Sequence, residues 1–191
     1  MKSGFNKLVA AAGAAALVNL AGCYEQPPCS ADQERVEYKG TVTQDNTGSN
    51  FTSFKEVVCV DPNTPPLSSS DTVVEYMPQA PEVAQITLYS ADGSNDVTMN
   101  AQSVDAQYKD FSAQGVDPFT AMTIDGLDTD MIGDTQIYNV TLKGTAQGSD
   151  YSALTPIFGD AKSLLIPGPT GVVITGNVDS VKFTGPTAPT Q

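Results

Sequence analysis

Apolar and polar residues alternate with a period of two along most of the chain beyond residue 34, which is the pattern of β-strands. The segment RVEYKGTVT at 35–43 places apolar residues or glycine on one side and charged or hydroxyl residues on the other. Similar runs, rich in β-branched and aromatic residues, predict strands at 51–60, 73–77, 83–89, 97–101, 119–124, 136–143, 164–166, 171–175 and 178–184. Because the runs are short and separated by turn residues, they favour antiparallel pairing over βαβ units.

Two short helices are also predicted. The segment 102–114 has apolar residues at i, i+4 and i+7, although strand alternation competes with that spacing. The segment 151–158 follows Asp150, a good N-cap, and is ended by Gly159. We therefore expect an all-β fold, an antiparallel β-sandwich or a Greek-key or barrel-like domain over 35–184, with one or two short helices.

The first residues of the chain have a different pattern. Lys2 and Lys7 precede an uninterrupted, mainly apolar and alanine-rich segment at 8–20, which is too short for a span of ~20 residues and typical of a secretory signal. The sequence LAGC follows, ending at Cys23. This arrangement resembles the lipobox of bacterial lipoproteins. An ordinary secretory signal, or a buried alanine-rich helix with a chance cysteine, is the alternative.

The resemblance implies that Cys23 receives a diacylglycerol and further acylation such as palmitate, and that residues 1–22 are removed. Residues 23–34 would then form the lipidated N-terminus and a short tether, and 185–191 a flexible tail. Lipoproteins kept at the inner membrane of many Gram-negative bacteria carry Asp after the cysteine, whereas this chain has Tyr24. The resemblance therefore implies a lipid anchor in the cell envelope, at the outer membrane, with its face undetermined.

The two remaining cysteines, Cys29 and Cys59, suit an oxidising compartment and predict a disulfide. The loop of about 30 residues would stabilise the fold by roughly 3–4 kcal/mol on the chain-entropy model. A metal pair is the alternative, but two thiols so far apart in a chain without histidine are poor zinc spacing.

Composition narrows the function. The 191 residues include 9 Lys and Arg against 22 Asp and Glu, a net charge of −13, which argues against nucleic acid as a partner. The chain has no histidine, the commonest general base and transition-metal ligand, and no Walker loop or dinucleotide-binding motif. We therefore do not expect an enzyme. Paired carboxylates for glycoside hydrolysis stay open, as in any acidic protein.

Acidic residues are concentrated between positions 91 and 134. Two stretches, DGSND at 92–96 and DGLDTDMIGD at 125–134, resemble loops that bring oxygen ligands together around calcium, although neither completes an EF-hand. Solvated hairpin turns are the competing interpretation. The candidate Ca²⁺ ligands are Asp92, Ser94, Asp96, Asp125, Asp128, Asp130 and Asp134.

These observations lead to one functional hypothesis and two rivals. We expect a membrane-anchored envelope lipoprotein with a structural or protein-binding role, whose partners are the membrane, through its acyl chains, and other envelope proteins. A calcium-dependent ligand- or carbohydrate-binding module is the leading alternative, and Ca²⁺ is the one cofactor that it would need. A hydrolase using paired carboxylates is third.

Overall fold

The computed structural model describes residues 29–30, 32–70, 72–76, 84–146, 151 and 154–185. Cys23, the signal segment and the tail beyond Gly185 lie outside these residues. The described elements are β1 Glu34–Asp45, β2 Phe51–Val60, β3 Ser68–Ser69, β4 Val73–Tyr76, β5 Ala84–Ser90, β6 Val97–Ala101, β7 Ser103–Lys109, β8 Phe119–Asp125, β9 Met131–Ile132, β10 Thr135–Gln136, β11 Val140–Thr145, α1 Leu154–Gly159, β12 Ala161–Gly168 and β13 Gly171–Thr184, with a 3-10 turn at Ser112–Gln114.

Eleven of these strands form one antiparallel sheet in the order β3-β4-β7-β8-β11-β12-β13-β1-β2-β5-β6, and β9 pairs with β10 in a separate small hairpin. The sheet curls into a half-barrel, so the expected all-β, barrel-like fold is confirmed. Gln102 alone separates β6, at one end of this order, from β7, near the other end. The two sides of the sheet are therefore covalently continuous at this residue.

The loop that follows β8 covers the free edge of β6. Asp128 Oδ1 accepts a hydrogen bond from the backbone N–H of Asn100 at 2.9 Å, and Asp128 N donates to Asn100 O at 2.8 Å. Asp128 Oδ2 also accepts from Asn100 Nδ2 at 2.7 Å, and Gln102 N donates to Asp125 O at 3.2 Å. These bonds continue the ladder beyond β6, the last described strand on this side of the sheet, so they protect an edge that would otherwise be open to another chain.

Inward-facing side chains fill the half-barrel with a continuous apolar core. Tyr38 of β1 reaches across this interior, where its hydroxyl donates to the carbonyl oxygen of Phe158 in α1 at 3.2 Å and lies 3.9 Å from Met122 Sδ in β8. Leu154, Ile157 and Phe158 of α1 are all buried. The helix therefore belongs to the core and contacts the barrel wall at β7 and β8.

Glycine makes room for the inward-facing ring of Phe54 in β2. A Cβ atom on Gly40 would lie 2.4 Å from Phe54 Cε1, and one on Gly176 would lie 3.2 Å from the same atom. Gly40 and Gly176 lie on the adjacent strands β1 and β13, so the ring packs against bare backbone. Close packing of this kind tolerates little added volume.

Neighbouring strands of the sheet are antiparallel, so their connections lie at two opposite ends of the barrel, and these ends differ chemically. The disulfide end holds the start of β1 and the ends of β2 and β13, since Arg35 lies opposite both Cys59 and Thr184. We define the distal end as the opposite one. It comprises the turns and loops at 46–50, 91–96, 126–139 and 169–170.

The prediction of a helix at 102–114 is wrong, because most of this segment is a strand. Ser103–Lys109 is strand β7, which pairs with β8 along its whole length, and only Ser112–Gln114 forms a 3-10 turn. Val104 and Ala106 are buried, as alternation requires, and this inward face packs in the core. Pairing with β8 and burial of that face therefore outweigh the helical spacing.

Other boundaries move without changing the class of element. The strand expected at 164–166 extends over Ala161–Gly168, and those at 171–175 and 178–184 form the single strand β13. The one expected at 136–143 begins at Val140. The second predicted helix, expected at 151–158, is confirmed as α1, which begins later, at Leu154, and ends at Gly159 as expected. Its predicted N-cap, Asp150, lies outside the described residues. Among the described helices, none is long and apolar enough to cross a membrane.

Candidate functional site

The structure joins Cys29 and Cys59 in a disulfide, with a Cα–Cα distance of 5.3 Å. Cys59 is the penultimate residue of β2, where it is buried and lies opposite Arg35 of β1. The bond therefore ties the segment that precedes β1 to the disulfide end of the barrel. Cys23, the residue expected to carry the lipid, lies six positions before Cys29, outside the described residues.

The first candidate calcium loop is a hydrogen-bonded turn between β5 and β6. Asp92 Oδ1 accepts bonds from Ser94 N at 3.0 Å and from Ser94 Oγ at 2.7 Å. These bonds from Ser94 lower the pKa of the Asp92 carboxyl below its ordinary value. Asp96 Oδ1 accepts from Ser90 N at 2.8 Å and from Ser90 Oγ at 3.1 Å. Both carboxylates therefore hold the turn by accepting bonds from its serines.

The second candidate loop separates its four aspartates. Asp125 ends β8 and Asp128 bonds to Asn100 at the edge of β6, whereas Asp130 and Asp134 are exposed on either side of β9. Among the described residues, no three acidic or cysteine side chains are close enough to hold a metal ion. The structure thus links Asp92, Ser94 and Asp96 through one turn and does not join them to the second loop.

An open cleft of about 490 Å³ lies between two of the distal turns. The backbone N–H of Ala91 donates to Asn50 O at 3.1 Å, which connects the β5–β6 turn to the β1–β2 turn. Asp45 shapes the second turn, since its Oδ1 accepts from Thr47 N at 2.8 Å and its Oδ2 from Phe51 N at 3.0 Å. The cleft is lined by polar and acidic groups together with a few apolar ones: Asp45, Ser49, Asn50, Phe51, Thr52, Ala91, Asp92 and Asn95.

Glu56 of β2 is a titratable group that the sequence analysis did not single out. Its side chain has no exposed surface, and it pairs with Tyr38 and Ile86 on the neighbouring strands. Among the described residues, neither carboxylate oxygen has a hydrogen-bond partner. Burial raises the pKa of the Glu56 carboxyl from 4.5 to about 8. The pKa of Tyr38 is also raised, first by burial and then by the nearby Glu56 charge.

The sequence does contain a signal for this residue. In FKEVV, Glu56 occupies the alternating position between Phe54 and Val58, both of which face the core. Alternation therefore places a carboxyl group inside, where an unpaired charge is costly. Composition alone does not distinguish Glu56 from the rest of the 22 acidic residues.

Three exposed apolar side chains at the distal end form a second feature missed from the sequence. We call Met131, Tyr138 and Val172 the distal patch; they are 42%, 54% and 45% exposed. Tyr138 N donates to Pro167 O at 3.3 Å, and Pro167 lies opposite Val172 in the β12–β13 hairpin. The loop that carries Met131 and Tyr138 therefore lies directly against the hairpin that carries Val172.

Comparison of the chain with protein-family models and with curated protein sequences gave no match.

The disulfide gives the first testable prediction. Replacing Cys59 with Ser should lower the free energy of unfolding by roughly 2–5 kcal/mol, because the bond closes a long loop in the unfolded chain. Denaturant titration measures the change, and Ser53→Ala on the same strand serves as the control. Two freely titrating thiols in unreduced wild-type protein would contradict the disulfide.

Glu56 gives the second prediction. Since its pKa is about 8 in the folded protein and about 4.5 when unfolded, the folded state holds more protons between these values, and stability should fall as pH rises from about 4.5 to 8. Glu56→Gln should flatten this dependence and stabilise the protein at pH 8, by about 4 kcal/mol at most. Asp117→Asn removes an exposed carboxylate and should leave the slope unchanged. Equal slopes for Glu56→Gln and wild type, by denaturant titration across pH, would refute the assignment.

The calcium hypothesis supplies the third prediction. If the turn at 91–96 binds Ca²⁺, millimolar Ca²⁺ should raise the Tm more than Mg²⁺ does, because Mg²⁺ loses water reluctantly and demands octahedral geometry. Asp92→Asn should abolish the difference, and Asp117→Asn should not. Thermal melts in each ion decide the matter; equal, small shifts with both ions would indicate charge screening alone and remove the hypothesis.

Proposed function

We propose that this protein is a lipid-anchored component of the bacterial envelope, attached to the outer membrane through Cys23, and that its barrel binds another envelope protein. The single observation that carries the anchoring is the sequence LAGC after a charged start and a short apolar segment. Acyl chains contribute ~0.8 kcal/mol per buried CH₂, and two or more chains make attachment stable.

The position of the disulfide supports a specific arrangement of the barrel. Cys29 lies six residues beyond Cys23, and its bond to Cys59 fixes it to one end of the sheet. A tether this short keeps the disulfide end next to the membrane. The distal end, with Met131, Tyr138 and Val172 exposed, then points away from the lipid, where a protein partner has access to it.

The anchoring is tested at Cys23. Wild-type protein should label with an alkyne analogue of palmitate and fractionate with membranes. Cys23→Ser should lose the label and the lipobox-dependent cleavage, leaving an uncleaved precursor held by its signal segment or a soluble form cut elsewhere. Cys29→Ser, which keeps the lipobox, is the matched control and should keep the label.

A second form of the protein isolates the anchor from the barrel. Residues from Glu25 onward, placed behind an ordinary secretory signal, should yield folded protein in the soluble fraction, because the acid-rich chain opposes binding to anionic headgroups. Sedimentation of this form with membranes would show that a partner or another surface of the protein also holds it there, and that Cys23 is not the sole anchor.

A further inference from the structure

The distal end of the barrel carries acidic side chains and no basic ones. The strand ends and connections at 45–50, 91–96, 125–139 and 169–170 contain no Lys or Arg. They bring together acids that are far apart in the sequence, because four connections between antiparallel strands lie at this end. These acids are Asp45, Asp92, Asp96, Asp125, Asp128, Asp130 and Asp134.

The basic side chains of the described strands lie elsewhere. Lys39 and Lys55 both pair with Glu37 on the outer wall, with N–O distances of 3.1 and 3.2 Å, and Arg35 approaches the same carboxylate at 3.5 Å. Lys182 lies opposite Glu37 in the neighbouring strand, near the disulfide end. The other bases of the described strands, Lys109, Lys143 and Lys162, also lie outside the distal connections. Among the described residues, no base therefore offsets the negative potential of the distal end, and such a potential steers an oppositely charged partner towards it.

The distal patch lies within this acidic surface. Asp130 and Asp134 flank Met131 in the loop that also carries Tyr138. On the other side, Asp45 lies opposite Ile174, and the backbone N–H of Asn46 donates to Val173 O, next to Val172. Exposed apolar residues surrounded by charge are the usual composition of a protein-binding surface, with an apolar centre and a polar rim.

We propose that the distal patch docks a protein whose contact face has an apolar centre bordered by Lys and Arg. This inference rests on the proposed protein-binding function and names the surface and the partner's chemistry. The charge distinguishes the occupants. A second copy docked end to end would place seven carboxylates against seven others, and anionic lipid or nucleic acid would be repelled. A protein face with an apolar centre and a basic border is complementary to both the centre and the acidic rim of the distal patch.

Site-specific photocrosslinking in cells tests the proposal on the full, lipidated chain. p-Benzoylphenylalanine is introduced at Tyr138 or Val172, and at Val116 as the control, because Val116 is similarly exposed (48%) but lies in the β7–β8 connection at the other end. We expect Tyr138 and Val172 to give the same protein adduct and Val116 to give none of it. Mass spectrometry of the adduct should place the crosslink in a partner segment rich in Lys and Arg.

A pair of charge variants tests the rim. Asp130→Asn with Asp134→Asn should lower the adduct yield at Tyr138 about threefold or more, because rim charges govern the association rate. Asp117→Asn with Asp179→Asn removes the same charge from exposed positions outside the distal end and should leave the yield unchanged. Equal losses in both pairs would overturn the charge argument.

The remaining outcomes separate this inference from the proposed function. An adduct with lipid, with a second copy of the chain or with an acidic face, or no adduct at Tyr138 and Val172, overturns the distal assignment. A protein adduct at Val116 alone also overturns it but leaves a protein-binding role in place. If wild-type protein does not fractionate with membranes, the proposed lipid anchor is refuted. The crosslinked adducts still test whether the distal patch binds a protein.

Discussion

The continuity of the chain at Gln102 is the constraint on which the rest of the barrel depends. Because β6 passes into β7 through this one residue, the sheet must curl until β6 pairs with β5 and β7 pairs with β8. That curvature creates the interior, and it leaves the edge of β6 to be completed by Asp125 and Asp128. Asp125, through its backbone oxygen, and Asp128, through its carboxylate, therefore complete the edge of the curled sheet.

Curling also dictates what the interior must hold. A half-barrel lined by alternating residues requires an inward side chain at every second position, and β2 supplies Glu56 at one of them. Glu56 lies opposite Tyr38 and Ile86, and among the described residues no cation pairs with its carboxyl group. Because burial raises its pKa, the carboxyl group is protonated and neutral at neutral pH. An apolar residue of similar volume at this position would make the folded protein more stable. The destabilisation caused by Glu56 increases with pH, because the carboxyl group must stay protonated in the folded state.

Much of the fold follows from alternation, because each strand turns one face to the interior and one to water. The prediction of a helix at 102–114 failed because the helical and strand periodicities coincide there. Val104 and Tyr108 are four residues apart, a spacing that suits a helix and is also a multiple of two. Strand prediction also failed at Gly176, which looks like a break within β13 but provides the space that Phe54 occupies. Within the candidate site, the pairing of the two remaining cysteines could be predicted from their number and from the expected oxidising compartment. The hydrogen bonds of Asp92 and Asp128 could not, because their serine and backbone donors come close only in the folded turns.

The antiparallel topology places the proposed attachment at one end of the barrel and the acidic surface at the other. In the proposed arrangement, six residues of tether reach about 20 Å at most, so the disulfide end stays near the lipid. A tilted strand as long as β1 then carries the distal end roughly 30 Å further out. Charges interact with headgroups only within a Debye length of about 8 Å, so the distal aspartates are far outside the membrane's field. In this arrangement the distal aspartates are free to interact with the proposed partner, and the disulfide between Cys29 and Cys59 keeps the distal end turned away from the membrane.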